Sequence, residues 1–239
     1  MENILDILFP KACSVCSKRG SYLCSRCKKL FKRNLPECYI CRRLSSGYKT
    51  HKECKKKQRE KGLDTVFISW EYNSLSSELL KKFKYNYVYG ISSILSEFFV
   101  ETLSSSVFPK SLNQSLLLNV PIAKNRLRER GFNQTLDISK AIANTLRLDF
   151  SEDLLLRKDT YDHQSMKDRE SRSFVSKNDF IVKSNIDLSS FNSIAIFDDV
   201  LTTGITLESI CQQLRATYGQ DLVVHGICMF RGRPYYLDR

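Results

Sequence analysis

The order of apolar and polar positions changes character near residue 62. From Leu63 onward, short apolar runs alternate with segments of helical period. VFISW (66–70) reads as a strand, and LSSELLKKFKY (75–85) as an amphipathic helix with apolar positions three and four apart. SSILSEFFVETL (92–103) predicts a second helix, closed by the serine-rich turn at 104–106. LLLNVP (116–121) is apolar enough for a buried strand, and a helix is expected at about 133–147. SIAIFDD (193–199) is the clearest strand, TLESICQQLRATY the helix after it, and LVVHGICMF (222–230) a closing strand. This alternation predicts an α/β domain over 63–239, with a mostly parallel sheet, right-handed crossovers and helices on both faces.

Residues 1–62 lack such alternation and carry metal-ligand spacing instead. Cys13-x2-Cys16 is followed by Cys24-x2-Cys27, and Cys38-x2-Cys41 by His51-x2-Cys54. Each knuckle presents two donors to one tetrahedral ion, and two knuckles complete its shell. The expectation is a double zinc-ribbon-like module with one to two structural Zn2+ ions. Sequential and interleaved pairing of the knuckles both satisfy the spacing. So few apolar side chains make a weak core, and ligation supplies folding energy on the order of 10 kcal/mol per structural zinc. Cys211 and Cys228 fall on apolar-periodic segments and read as core, as does His225.

Charge sharpens the division. The net charge is +12, yet residues 11–61 hold 17 Lys/Arg against 3 Asp/Glu, and the remainder is slightly acidic. The basic positions Lys28, Lys29, Lys32, Arg33, Arg42, Arg43, Lys55, Lys56, Lys57 and Arg59 are interleaved with the metal ligands. That density suits a phosphate backbone, so single-stranded nucleic acid is the expected partner, bound with strong salt dependence and weak sequence dependence. Tyr22, Phe31, Tyr39 and Tyr48 either stack on bases or form the module's own small core. No run approaches the roughly 20 apolar residues of a membrane span. The N-terminal stretch has an early acid, a short apolar run and no small-residue cleavage site, so a cytoplasmic location is expected.

The chemistry concentrates in SIAIFDDVLTTGITL (193–207). The apolar run places Asp198 and Asp199 at the carboxyl end of a strand, where open α/β sheets keep ligand sites. TTG then feeds a helix, gathering backbone N–H groups and hydroxyls into an anion cradle. Strand, paired acids, apolar pair and TTGxT closely resemble the signature of the type I phosphoribosyltransferases. The resemblance implies that Leu201, Thr202, Thr203, Gly204, Ile205 and Thr206 hold the 5′-phosphate of phosphoribosyl pyrophosphate (PRPP). It implies that Asp198 and Asp199 hold the ribose hydroxyls near a Mg2+ ion.

NVPIAKNRLRERGFNQ (119–134), FKY (83–85) and the spacing Gln164, Arg172, Phe180 resemble the ComF family of bacterial competence proteins, which join a zinc module to a phosphoribosyltransferase domain. Val175 stands where that family often has Asn. The resemblance implies pyrophosphate contacts from Lys124, Arg126, Arg128 and Arg130, and a polar lid over 157–172 with Arg157, Gln164 and Arg172. A loop is expected at 124–130, although Arg126 and Arg130, four apart, would share a face were it helical. It further implies handling of incoming single-stranded DNA in natural transformation, alongside other DNA-uptake proteins. The alternative is an active phosphoribosyltransferase with an unidentified acceptor; a ligand-free docking module is a third reading.

Overall fold

The apolar runs become the strands of one five-stranded parallel sheet in the computed structural model, which describes residues 11–57, 62–85, 89–158 and 179–232. In chain order the strands are β1 (Thr65–Glu71), β2 (Ser115–Asn119), β3 (Asp149–Ser151), β6 (Ser193–Leu201) and β7 (Val224–Arg231). Their spatial order is β1-β7-β6-β2-β3. Two further three-residue strands, β4 (Leu155–Arg157) and β5 (Phe180–Val182), pair antiparallel beside it.

Period-two alternation gives the sheet two apolar faces. Phe67, Leu117, Ala195, Phe197 and Ile227 point into one core. Their neighbours Val66, Ile68, Leu116, Leu118, Ile194, Ile196 and Cys228 point into the other. The first face is covered by α3 (Ser74–Tyr85), α4 (Tyr89–Ser104) and α6 (Gln134–Leu146), through residues such as Leu79, Leu95 and Ile138. The second is covered by α7 (Ile205–Tyr218) through Leu207, Ile210 and Leu214, and by Leu155 and Phe180 of the short antiparallel pair. Helices therefore lie on both faces, as the alternation predicts.

The cysteine-rich segment is wrapped onto this sheet. It carries two short helices, α1 (Ser25–Lys28) and α2 (Lys52–Lys57). Its chain runs antiparallel along the outer edge of β1, with bridges Arg33 to Trp70 and Lys49 to Thr65. The Asn34 and Glu71 amides donate to Ser69 and Lys32 carbonyls at 2.9 and 3.0 Å, and Thr50 N–H donates to the Asp64 carbonyl at 2.8 Å. An edge that would otherwise be open to pairing is thus closed.

The module also shares the core of the sheet. Leu23, Phe31 and Tyr48 join the first face and Tyr39 the second. The Phe31 ring lies 5.8 Å from those of both Trp70 and Phe98, and Tyr48 lies 5.1 Å from Phe67. These aromatics are core residues rather than base-stacking platforms; Tyr22 is half-buried beside them.

One expectation is corrected. Residues 124–130 form a helix, α5 (Lys124–Arg130), where a loop was expected. Leu127 is its single apolar side chain, so no apolar period marks it, but Lys, Arg, Leu and Glu are strong helix formers. Gly131, at φ 73°, closes it with its N–H donating to the Leu127 carbonyl.

Candidate functional site

From β2 the chain moves outward to β3, and from β6 it moves the opposite way to β7. The sheet order therefore reverses between β2 and β6, and a crevice opens at the carboxyl ends of that pair. β2 pairs with β6 only as far as Asn119 opposite Phe197, while β6 continues to Leu201 against β7. Asp198 and Asp199 follow that last rung directly, so they face the crevice from within the strand rather than from its end.

Asp198 accepts a 2.8 Å hydrogen bond from the Asp199 N–H, and Asp199 forms an ion pair with Lys84 of α3. Burial, and then the charge of Asp199, push the Asp198 carboxyl up to about 7, although the Asp199 N–H and Lys84 act in the other direction. Two adjoining acids, one of them ion-paired with Lys84, leave carboxylate oxygens facing the cleft. Such oxygens can accept from vicinal hydroxyls or ligate a hard cation. The carboxylate pair has the donor chemistry that Mg2+ takes.

Three arginines line the same cleft, of about 90 Å³: Arg126 and Arg130 on one face of α5, and Arg157 at the end of β4. Arg130 is buried and Arg126 exposed. Arg157 pairs with Asp179 at 3.8 Å and lies over the Phe180 ring at 5.4 Å. Lys124 and Arg128 are exposed on α5 outside this lining. Lys84 also lines the cleft, a residue that only the FKY resemblance touched and that the sequence reading did not assign. Gln164 and Arg172 of the expected lid lie outside the described residues, as does Val175.

The TTG loop follows β6 immediately. Thr202 and Thr203 are exposed, Thr206 is half-exposed, and the Thr203 hydroxyl accepts from Ile205 N–H at 3.4 Å. Gly204 has φ 89°, a left-handed value that favours glycine, and starts α7 with its carbonyl accepting from Glu208 N–H at 2.9 Å. The first-turn N–H groups of a 14-residue helix are thus presented beside two hydroxyls. Leu201 is buried and its carbonyl accepts from Gly232 N–H, so this position supports the loop rather than offering it a side chain. Ile205 is exposed.

The two metal-ligand sets assemble as sequential sets, which resolves the pairing. The donors of Cys13, Cys16, Cys24 and Cys27 lie within 4.8 Å of one another, as do those of Cys38, Cys41, His51 and Cys54. Cys16 and Cys24 sulfurs are 3.7 Å apart, and Cys41 Sγ lies 3.3 Å from His51 Nδ1. A tetrahedron with Zn–S near 2.3 Å has an edge of about 3.8 Å. Backbone N–H groups of Cys24 and His51 donate to Cys13 and Cys38 sulfurs, each at 3.5 Å. Burial pushes the Cys41 thiol up, but donation from Arg43, His51 and Cys54 outweighs it and brings it down to about 6. Burial raises Cys54 to about 11. The donor sets fit zinc in both clusters, with no position open for catalysis.

The basic positions divide by what they touch. Lys55 forms an ion pair with Asp64, Lys32 pairs with Glu71 at 2.7 Å, and Lys28 lies 5.3 Å over the Phe98 ring. Arg33 donates to the Thr102 carbonyl and Arg42 to the Gly232 carbonyl. These five tie the module to the sheet and to α4. Lys29, Arg43, Lys56 and Lys57 are exposed, although Arg43 also donates to Cys41 Sγ at 3.5 Å. Arg59 lies outside the described residues.

No protein-family model matches the chain. Over 208 residues it is 26% identical to Competence protein F of Haemophilus influenzae (strain ATCC 51907 / DSM 11121 / KW20 / Rd), covering 86% of this chain and 89% of that protein. No helix among the described residues is long and apolar enough to cross a membrane. The likeness over most of the chain agrees with the resemblance drawn from its sequence: this chain is similar to the ComF family of competence proteins.

Proposed function

We propose that this protein acts in natural transformation, handling incoming single-stranded DNA, and that its sheet domain binds PRPP with Mg2+. The observation that carries the ligand reading is the crevice between β2 and β6. There the paired carboxylates face three arginines, and the TTG loop follows after Val200 and Leu201. A ribose with two hydroxyls, a 5′-phosphate and a pyrophosphate presents complementary groups to all three. The competence role is supported by the likeness to a protein of that name. DNA handling is supported by the exposed lysines of the basic module, and would engage other DNA-uptake proteins.

The same cleft supports a second reading, an active phosphoribosyltransferase. An acceptor would attack C1 of the ribose, and the C1–O bond would break with its electron pair leaving on pyrophosphate. Arg126, Arg130 and Arg157 would bind that developing charge, and Asp198 and Asp199 would orient the ribose. Magnesium at the carboxylates would supply further neutralisation of the phosphates.

Phosphorus NMR of the zinc-loaded protein with PRPP and Mg2+ tests both, with single-stranded DNA and a panel of nucleobases and amines added in turn. The DNA-handling reading expects shifted, uncleaved PRPP. Pyrophosphate released on one added acceptor would make it a transferase. Unshifted PRPP signals would remove the ligand assignment.

A further inference from the structure

The second metal-ligand set is bolted to the back of the TTG loop. Its first knuckle, Cys38 to Cys41, carries Tyr39, which is buried against Gly204: a Cβ built on that glycine would lie 3.1 Å from Tyr39 Cε2 and 3.3 Å from Cδ2. The Tyr39 hydroxyl donates to Glu208 Oε1 at 2.9 Å in the first turn of α7 and accepts from Leu63 N–H at 3.3 Å. The Tyr39 carbonyl accepts from Arg231 Nη2 at 2.6 Å, and Arg231 Nη1 donates to the Thr202 carbonyl at 3.4 Å. Glu37, next to Cys38, pairs with Arg231 Nε at 2.8 Å. One buried arginine therefore spans knuckle and loop, and one ring fills the space behind the loop's glycine. The knuckle itself is closed by two backbone bonds, Cys38 N–H to the Arg43 carbonyl and Arg42 N–H to the Cys38 carbonyl. A turn so small keeps its shape through its metal.

We infer that Tyr39 and Arg231 are positioning residues which couple metal at Cys38, Cys41, His51 and Cys54 to the phosphate affinity of the Thr202–Thr206 loop. The inference rests on the reading above that this loop takes a phosphate. Among the described residues, no contact joins the first metal-ligand set to the Thr202–Thr206 loop. Its buried cysteines pack among residues of the face covered by α3 and α4, and Lys82 of α3 donates to the Ser14 carbonyl. Linkage is reciprocal, so a phosphate ligand must tighten metal at the second set by the factor that the metal tightens the ligand.

The test is calorimetric titration of PRPP with Mg2+ into the full zinc-loaded chain. It is repeated on Cys16→Ser/Cys24→Ser and on Cys41→Ser/His51→Ala, which remove the less buried ligands of each set. The second-set variant is expected to bind about tenfold or more weakly, and the first-set variant within about twofold of wild type. Tyr39→Leu keeps all four ligands and should weaken PRPP comparably while zinc content stays at the wild-type value. Chelator competition on the cobalt-substituted protein reads the reverse effect. PRPP should slow or weaken removal of one cobalt, and leave the other unchanged. Equal PRPP affinity in both cysteine variants, or no effect of PRPP on either cobalt, overturns the coupling while leaving PRPP binding standing. A wild type that binds no PRPP overturns the ligand reading and this inference with it.

Discussion

The two four-ligand clusters follow one chemical plan but dock on different parts of the sheet. The first joins the core beneath α3 and α4, with Phe31 packed against the stacked rings of Trp70 and Phe98 close behind it. The second reaches the opposite face, where Tyr39 packs under the TTG loop. Ligand type and spacing determine that a metal is held. What the metal then organises depends on the few side chains between the ligands, and on which surface they meet.

The sharpest way to separate the clusters is to truncate one aromatic in each neighbourhood. Phe31→Ala and Tyr39→Ala should each cost about 3–5 kcal/mol, near 10 °C in melting temperature for a chain of this length. Only Tyr39→Ala should also weaken PRPP. Thermal melts paired with calorimetry check this, and an equal change in PRPP affinity would erase the distinction.

Charge reversal on the second cluster's helix comes next in size. Lys56→Glu/Lys57→Glu should weaken single-stranded DNA binding about tenfold and flatten its salt dependence by roughly two ionic contacts. Lys55→Gln should lower stability by about 1 kcal/mol and leave the salt slope alone, since Lys55 is engaged by Asp64. Fluorescence anisotropy across a salt series, with melts alongside, decides both. A slope unchanged in the double variant moves the DNA surface elsewhere.

The smallest effect is a pH signature of the carboxylate pair. The folded-state value of Asp198 is raised to about 7, above the ordinary carboxylate range. Its contribution to stability is therefore full below about pH 4 and is lost as pH rises through about 7. Asp198→Asn cannot ionise. Its stability relative to wild type, read from thermal melts, should be higher at pH 8 than at pH 5, by an amount on the order of 1 kcal/mol. A constant offset across that range would show that the pair carries no strain.

Most of the sheet and its long helices were legible, because burial on both sides writes continuous apolar runs such as SIAIF and LLLN into the sequence. β3, β4 and β5 were not, since three residues are too few to show a period. α5 was hidden by its charge. The metal ligands and the acid pair were readable from spacing, as their chemistry is local. Lys84 at the acids was not, nor was Tyr39 at Gly204: the Tyr39–Glu208 contact spans 169 residues, and no local pattern encodes it. The same holds for Lys55, whose place in a lysine run suggests solvent, while Asp64 draws it onto the sheet.

The most direct test of the central claim is titration of PRPP and Mg2+ into the zinc-loaded protein and into Asp198→Asn/Asp199→Asn. Saturable binding by the wild type, weakened about 100-fold or more in a variant that still melts cooperatively, is the predicted result. Equal affinity in the two proteins would contradict the placement of the ligand at the crevice between β2 and β6.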